Sequence, residues 1–379
     1  MKCALSLVAL GLAATAQAAY YEYEYTTVTG YFLQDEASTD PSTFDYTANN
    51  FGLINRTYDA DSTSSSKLTQ WQRFYNQVHA LNKHAPHKTE YKVFFFGRHG
   101  EGWHNAAESY YGTPAWNVRP PPPPKTHTHK RSDLTEEKCY WSLLAGNGTA
   151  TWSDADLTPA GIAQAQTAHD FWASLIRSEE MHTPDAYFVS PLTRALRTAD
   201  ITFGNLALPR SAARFKPLVM ESLREGISLH TCDHRRSRAY IASLFPRWEI
   251  ERGFSEEDEL WNGVTAETPA AQDVRSKGAL DEMFERTDSR DLFVSVTAHS
   301  GEIASLLRVL GHRVFSLRTG AVIPVLVKAE KLSSQGLPEP TKVAWTTSAH
   351  CTAPPVTSLS ACVCASSATP VTTPLATGF

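Results

Sequence analysis

Val93-Phe94-Phe95-Phe96-Gly97-Arg98-His99-Gly100-Glu101 decides how this chain reads. Four apolar residues in a row, ending at a glycine, mark a strand buried on both faces, since a half-exposed strand would alternate apolar with polar. Such a strand needs helices above and below it, which points to a parallel sheet in an α/β fold. The polar cluster from Arg98 onward falls at the strand's carboxyl end, where sheets of this kind build their sites.

The neighbouring sequence keeps alternating strand with helix. Leu68, Trp71, Tyr75, Val78 and Leu81 recur at helical spacing, and Pro86 closes that helix. Thr158-Pro159 supplies an N-cap followed by proline at the first helical position, with Ile162, Ala165, Trp172 and Leu175 on one face. Strands are expected at 186–189, 215–220, 292–297 and 322–327, and helices at 192–203 and 302–310. The fold class is therefore α/β, a mostly parallel sheet sandwiched between helices.

The ends of the chain read differently. Met1-Lys2, an apolar run from Ala4 to Ala14 and Ala16-Gln17-Ala18 predict a signal peptide over residues 1–18, too short an apolar run to span a bilayer. Residues 19–85 are expected to form an N-terminal arm and a helix packed on the core. The core domain covers 86–330, and 331–379 form a disordered tail rich in Ser, Thr and Pro. Sequons at Asn55 and Asn147 agree with a secretory route. Five of the six cysteines remain after cleavage, an odd number that leaves at least one thiol unpaired within the chain.

At 379 residues, with 42% hydrophobic and 20% charged, the chain can bury a full core. A net charge of −5 excludes the broad basic surface that nucleic acid requires, so any anion must be held by a few local side chains.

Four polar clusters supply such side chains. Each follows an expected strand: Arg98-His99-Gly100-Glu101 with Asn105; Ser190-Pro191-Leu192-Thr193-Arg194; Leu223-Arg224-Glu225-Gly226; and Ala298-His299-Ser300-Gly301. Two imidazoles, two guanidiniums and a carboxyl in one pocket fit phosphoryl transfer. Forked Arg donors match phosphate oxygens, a neutral imidazole can attack phosphorus, and a protonated carboxyl can serve the leaving oxygen. The helix opening after Ser300 offers further N–H groups to an anion.

Taken in this order on these elements, the motifs resemble the histidine phosphatase superfamily in its phosphoglycerate mutase-like branch. Arg98–Asn105 and Leu229-His230-Thr231-Cys232-Asp233-His234-Arg235-Arg236 resemble fungal phosphomutase-like proteins. The resemblance implies that His99 is phosphorylated and that Arg98, Arg194, His299 and Asn105 bind the phosphoryl group. It makes Glu225 the proton donor, with Glu221 a competitor close in sequence. His230 and Arg236, with Arg235 and Arg238 in the same basic run, could contact the rest of the substrate, the arginines gripping a second acidic group; the alternative is a solvated helix face. His104 and Glu101 are expected to support the site and not to act in it. Neither metal nor organic cofactor is implied, and the partner is a small phosphorylated substrate, with no nucleic acid and no membrane span. Residues 118–138, with Pro120–Pro124 at their start, interrupt the pattern of those fungal proteins and read as a translated, unspliced intron.

The implied activity is that of a secreted or cell wall-associated phosphatase, metal-independent and working through a phosphohistidine. A phosphomutase using the same phosphohistidine and a non-catalytic phospho-ligand binder are the alternatives.

Overall fold

Side chains of the deciding stretch alternate across strand β2 (Thr89–Arg98). Phe94 and Phe96 enter one hydrophobic cluster, Val93 and Phe95 another, and none is more than 1% exposed. Two full cores thus lie on opposite faces of one sheet. In this computed structural model the described residues are 23–116, 140–209, 212–332, 343–347 and 350–353. The expected signal peptide and the 118–138 segment lie outside them.

In chain order the elements are β1 (Tyr23–Thr27), α1 (Gln70–Lys83), β2, α2 (Trp103–Tyr111), α3 (Thr113–Trp116), α4 (Pro159–Ser178), β3 (Ala186–Val189), α5 (Thr193–Phe203), β4 (Leu218–Val219), α6 (Arg238–Leu244) and β5 (Glu249–Ile250). They continue with β6 (Thr265–Ala266), α7 (Pro269–Arg286), β7 (Phe293–Ala298), α8 (Ser300–Val309), β8 (Val322–Lys331) and β9 (Thr346–Thr347). The main sheet has seven strands in the order β1-β8-β2-β7-β3-β4-β5. From β2 to β5 every pairing is parallel; β8 runs antiparallel to β2, and β1 antiparallel to β8. The mostly parallel, helix-covered sheet is therefore as expected, with one edge built the other way.

Tyr75 and Leu81 of the expected first helix are only partly buried, while Trp71, Phe74 and Val78 are fully so. Thr158 caps α4 as read, its side chain accepting from Gly161 N. Helix α7 lies outside the expected helices, although Thr268-Pro269 opens it in the same way, with Thr268 accepting from Ala271 N. No described helix is long and apolar enough to cross a membrane.

The N-terminal arm does more than drape the surface. Its Tyr23-Glu24-Tyr25 alternation forms the edge strand β1, with both tyrosines buried against Phe284. Phe51 reaches the core beside Trp172 and Phe95 and is fully buried, at a left-handed φ of 56°. That conformation is uncommon for a bulky residue, and burial of a large ring, at about 1.5–3 kcal/mol, offsets it. Within the tail, β9 pairs with β6, Cys351 is disulfide-bonded, and His350 is buried.

The register places the site. Arg98 pairs with Ala298, and Val189 with Thr297, so the residues that follow, His99, His299 and Ser190, leave three adjacent parallel strands at one edge.

Candidate active site

His99 is 1% exposed, and its Nδ1 lies 2.7 Å from the carbonyl oxygen of Gly100. A carbonyl can only accept, so Nδ1 carries the proton and Nε2 keeps its lone pair. Arg194 Nε–H points at that Nε2 from 3.3 Å. Burial, then the charges of Arg194 and Arg98, hold the His99 pKa well below the usual histidine value, so the ring is neutral at physiological pH. A neutral imidazole with a free Nε2 is the form a nucleophile requires.

His299 lies beside it, with ring centroids 5.0 Å apart. Its Nε2 pairs with Ser190 Oγ at 2.7 Å, and its buried Nδ1 has no partner. Burial and the same cationic neighbours depress its pKa as well. Ser190, leaving β3 next to β7, thus orients the second imidazole.

Two guanidiniums complete the pocket. Arg194, 1% exposed, donates through Nη1 to Cys232 O at 2.7 Å. Arg98 donates through Nη1 to Leu317 O at 2.8 Å, and its buried Nε has no partner. Neither forms an ion pair with a described carboxylate. Burial lowers the Arg98 pKa, as expected for a cation held out of water without a close counter-charge. An incoming phosphate would supply that charge.

Local backbone geometry explains the motif around His99. A Cβ on Gly100 would overlap the Gly161 carbonyl, and one on Gly161 would overlap that of Glu101, so β2 and α4 meet backbone to backbone. Thr198 Oγ1 accepts from Gly100 N at 2.9 Å and donates to Arg194 O at 2.7 Å, joining the His99 loop and α5. Glu101 accepts from Thr158 Oγ1 at 2.7 Å, which ties the loop after β2 to the cap of α4.

Glu225 is half-buried against the start of α8. Its carboxylate accepts from Gly301 N at 3.2 Å, Glu302 N at 3.0 Å and Gly226 N at 2.9 Å. These are the N–H groups expected to meet the phosphate, and here they serve the carboxylate. The close approach needs glycine, because a Cβ on Gly301 would overlap Glu225 Oε1. Glu221, the competing acid, lies elsewhere. It accepts from Arg224 at 2.8 Å and from Arg235 at 2.7 Å and is fixed in an ion-pair network.

The remaining candidates divide. Asn105 uses its Oδ1 to accept from Gly102 N at 3.0 Å, capping α2, so only its amide NH₂ could serve a phosphate. His104 is buried with its ring 5.5 Å from His99 and an unpartnered Nδ1. His230 is buried, its ring edge-on to Trp116 at 6.2 Å. Arg236 is exposed, lies over the Tyr240 ring at 4.5 Å and reaches to 3.7 Å from Asp154. Arg235 is not a substrate ligand: it is fully buried, stacks on Phe254 and donates to the carbonyls of Arg236, Ser255, Glu256 and Glu257. Arg238 opens α6 on the surface.

One further residue had no signal in the sequence. Asp154, 2% exposed, accepts from Thr193 N at 2.8 Å and from Thr193 Oγ1 at 2.5 Å, capping α5 immediately before Arg194. Among the described residues, His230, Cys232 and Asp233 bring three ligand-type atoms within 4.8 Å. Asp233 already accepts from Ser228 Oγ at 2.5 Å, and burial pushes the Cys232 thiol well above its usual pKa.

Comparison with known proteins supplies the family. Residues 144–318 match the model of the histidine phosphatase superfamily (branch 1). A probable phosphoglycerate mutase of Arthroderma benhamiae is 45% identical over 86% of this chain and 89% of its own length. Phosphomutase-like protein 3 of Candida albicans is 32% identical over 86% of this chain and 85% of its own length. A probable phosphoglycerate mutase of Saccharomyces cerevisiae is 30% identical over 73% and 90%, respectively. Identity at these levels, sustained over most of both chains, is kinship and not a chance sharing of motifs: the chain belongs to the histidine phosphatase superfamily.

Proposed function

We propose that this chain is a secreted, metal-independent phosphatase that hydrolyses a small phosphomonoester through a phosphohistidine on His99. The observation that carries the reading is the state of that ring, with Nδ1–H tied to Gly100 O and Nε2 unprotonated beside Arg194.

In the first step the Nε2 lone pair attacks phosphorus, forming the P–N bond as the ester P–O bond breaks. Arg98, Arg194, His299 and the amide of Asn105 hold the equatorial oxygens, where charge accumulates. Glu225 delivers a proton to the departing alkoxide. In the second step the Glu225 carboxylate takes a proton from water as that water attacks phosphorus; the P–N bond breaks and inorganic phosphate leaves. His230 and Arg236 contact the organic part of the substrate.

The mutase reading rests on the names of the fungal relatives. It requires extra positive groups to hold a second acidic function through the transfer. Among the described residues, Arg224, Arg235 and Arg275 are tied up in ion pairs, and the exposed Arg236 lies 3.7 Å from Asp154. That scarcity supports hydrolysis. Secretion is supported by the signal-like first 18 residues, by exposed Asn55 and Asn147, and by disulfide-bonded Cys351. Incubation with a labelled monophosphoglycerate separates the readings: free phosphate is expected, and recovery of the isomer would favour the mutase.

A further inference from the structure

Glu225 sits on a loop, and a general acid on a loop is useful only if something holds its backbone still. Three carbonyls of that loop converge on one side chain from α7. Arg275 Nη1 donates to Ser222 O at 2.7 Å and to Arg224 O at 2.9 Å, and Nη2 donates to Glu225 O at 3.2 Å. The same guanidinium pairs with Glu267 at 2.7 Å and with Glu302 at 3.0 Å. Glu267 in turn accepts from Ile227 N at 2.9 Å, just beyond the acid.

The contacts close a ring. Arg275 binds the Glu302 side chain, Glu302 N–H binds the Glu225 carboxylate, and Arg275 binds the Glu225 backbone. Glu302 is in α8, whose N-cap is His299. The distance from Glu225 to the imidazole pair is therefore fixed through one planar cation. Arg275 is 12% exposed, Glu267 4% and Glu302 0%, so water does not loosen the ring. Lysine, with three donors around a point charge, cannot reach three carbonyls and two carboxylates together.

We propose that Arg275 is a positioning residue for the proton donor, setting where Glu225 meets the leaving oxygen. The proposal rests on the reading of Glu225 as general acid. An arginine that merely braces the fold would, on removal, slow all substrates alike. One that aims the acid would slow chiefly those esters whose leaving group needs a proton.

The test compares kcat/KM on 2,4-dinitrophenyl phosphate, whose leaving group departs unaided, with that on β-glycerophosphate, whose alkoxide does not. Glu225→Gln is expected to lose about 10²–10⁴-fold on β-glycerophosphate and far less on the aryl ester. Arg275→Gln should show the same selectivity, with a loss of about 10²-fold on the alkyl ester. Arg275→Lys should show it more weakly, and carries the test if Arg275→Gln does not fold. Equal losses on both esters, or no loss, in the Arg275 variants would overturn the proposal while selectivity in Glu225→Gln left the acid in place. Equal losses in Glu225→Gln would remove the acid and the positioning role together.

Discussion

Arg194 and Arg235 are each 1% exposed, yet they behave as opposites. Arg235 has a carboxylate at 2.7 Å, an aromatic face under it and backbone oxygens around its terminal nitrogens. Arg194 has one carbonyl and the lone pair of a neutral imidazole. A buried cation whose donors all meet protein oxygens holds a fold together; one short of a counter-charge is prepared for a ligand. The contrast extends to the acids, since Glu221 is enclosed by two arginines while Glu225 touches only N–H groups and a hydroxyl at a helix start.

The sharpest way to break this contrast is His99→Ala. It should lower phosphomonoester turnover by at least about 10⁴-fold, checked by phosphate release, because no other described imidazole has its lone pair under Arg194. Next, Arg194→Gln should cost about 10²–10³-fold in kcat, as for loss of one transition-state donor, with unchanged thermal unfolding. Arg235→Gln should do the reverse. It is expected to destabilise the fold by about 3–5 kcal/mol in denaturant titration, while the folded enzyme keeps its kcat. An Arg235 variant that folds normally but does not turn over would erase the distinction between the two regions.

The smallest effect concerns pH. His99, His104 and His299 all have pKa values held well below the ordinary value, first by burial and then by nearby cations. In the unfolded chain the same rings titrate near 6.5 and bind protons that the folded form refuses. The stability they confer is thus complete above about pH 6.5 and declines as pH falls below it. Unfolding free energies measured from pH 7.5 to 4.5 should show this decline. His104→Gln should flatten it in part, and an unchanged slope would mean that His104 binds protons equally in the folded and unfolded chain.

How much of this was legible beforehand follows from the kind of signal each residue leaves. The doubly buried run at 93–96 and the polar clusters behind four strands were readable because β2, β7 and β3 are parallel neighbours. Arg235 and Arg236 look identical in a run of basic residues; only Phe254 and the carbonyls of 255–257, some 20 residues away, decide which is enclosed. The direction of β8 was hidden, since a buried apolar run carries no polarity. The strand expected at 215–220 is present but pairs over only two residues, Leu218–Val219 (β4), because an apolar run marks a strand without fixing how much of it a neighbour pairs. Helix α7 did leave its Thr-Pro signature, and the Tyr-Glu-Tyr of β1 did alternate. Asp154 left nothing, because its value lies wholly in capping a helix 39 residues later.

The decisive measurement is intact-protein and peptide mass spectrometry under alkaline quench, taken milliseconds after mixing with a dinitrophenyl phosphate. A single acid-labile phosphoryl group on His99, absent from His99→Ala and accumulating in Glu225→Gln if water attack becomes limiting, is the predicted result. Turnover with no phosphoryl group on that ring at any time, or one carried on His104 or His299 instead, would contradict the assignment of Nε2 of His99 as the attacking atom.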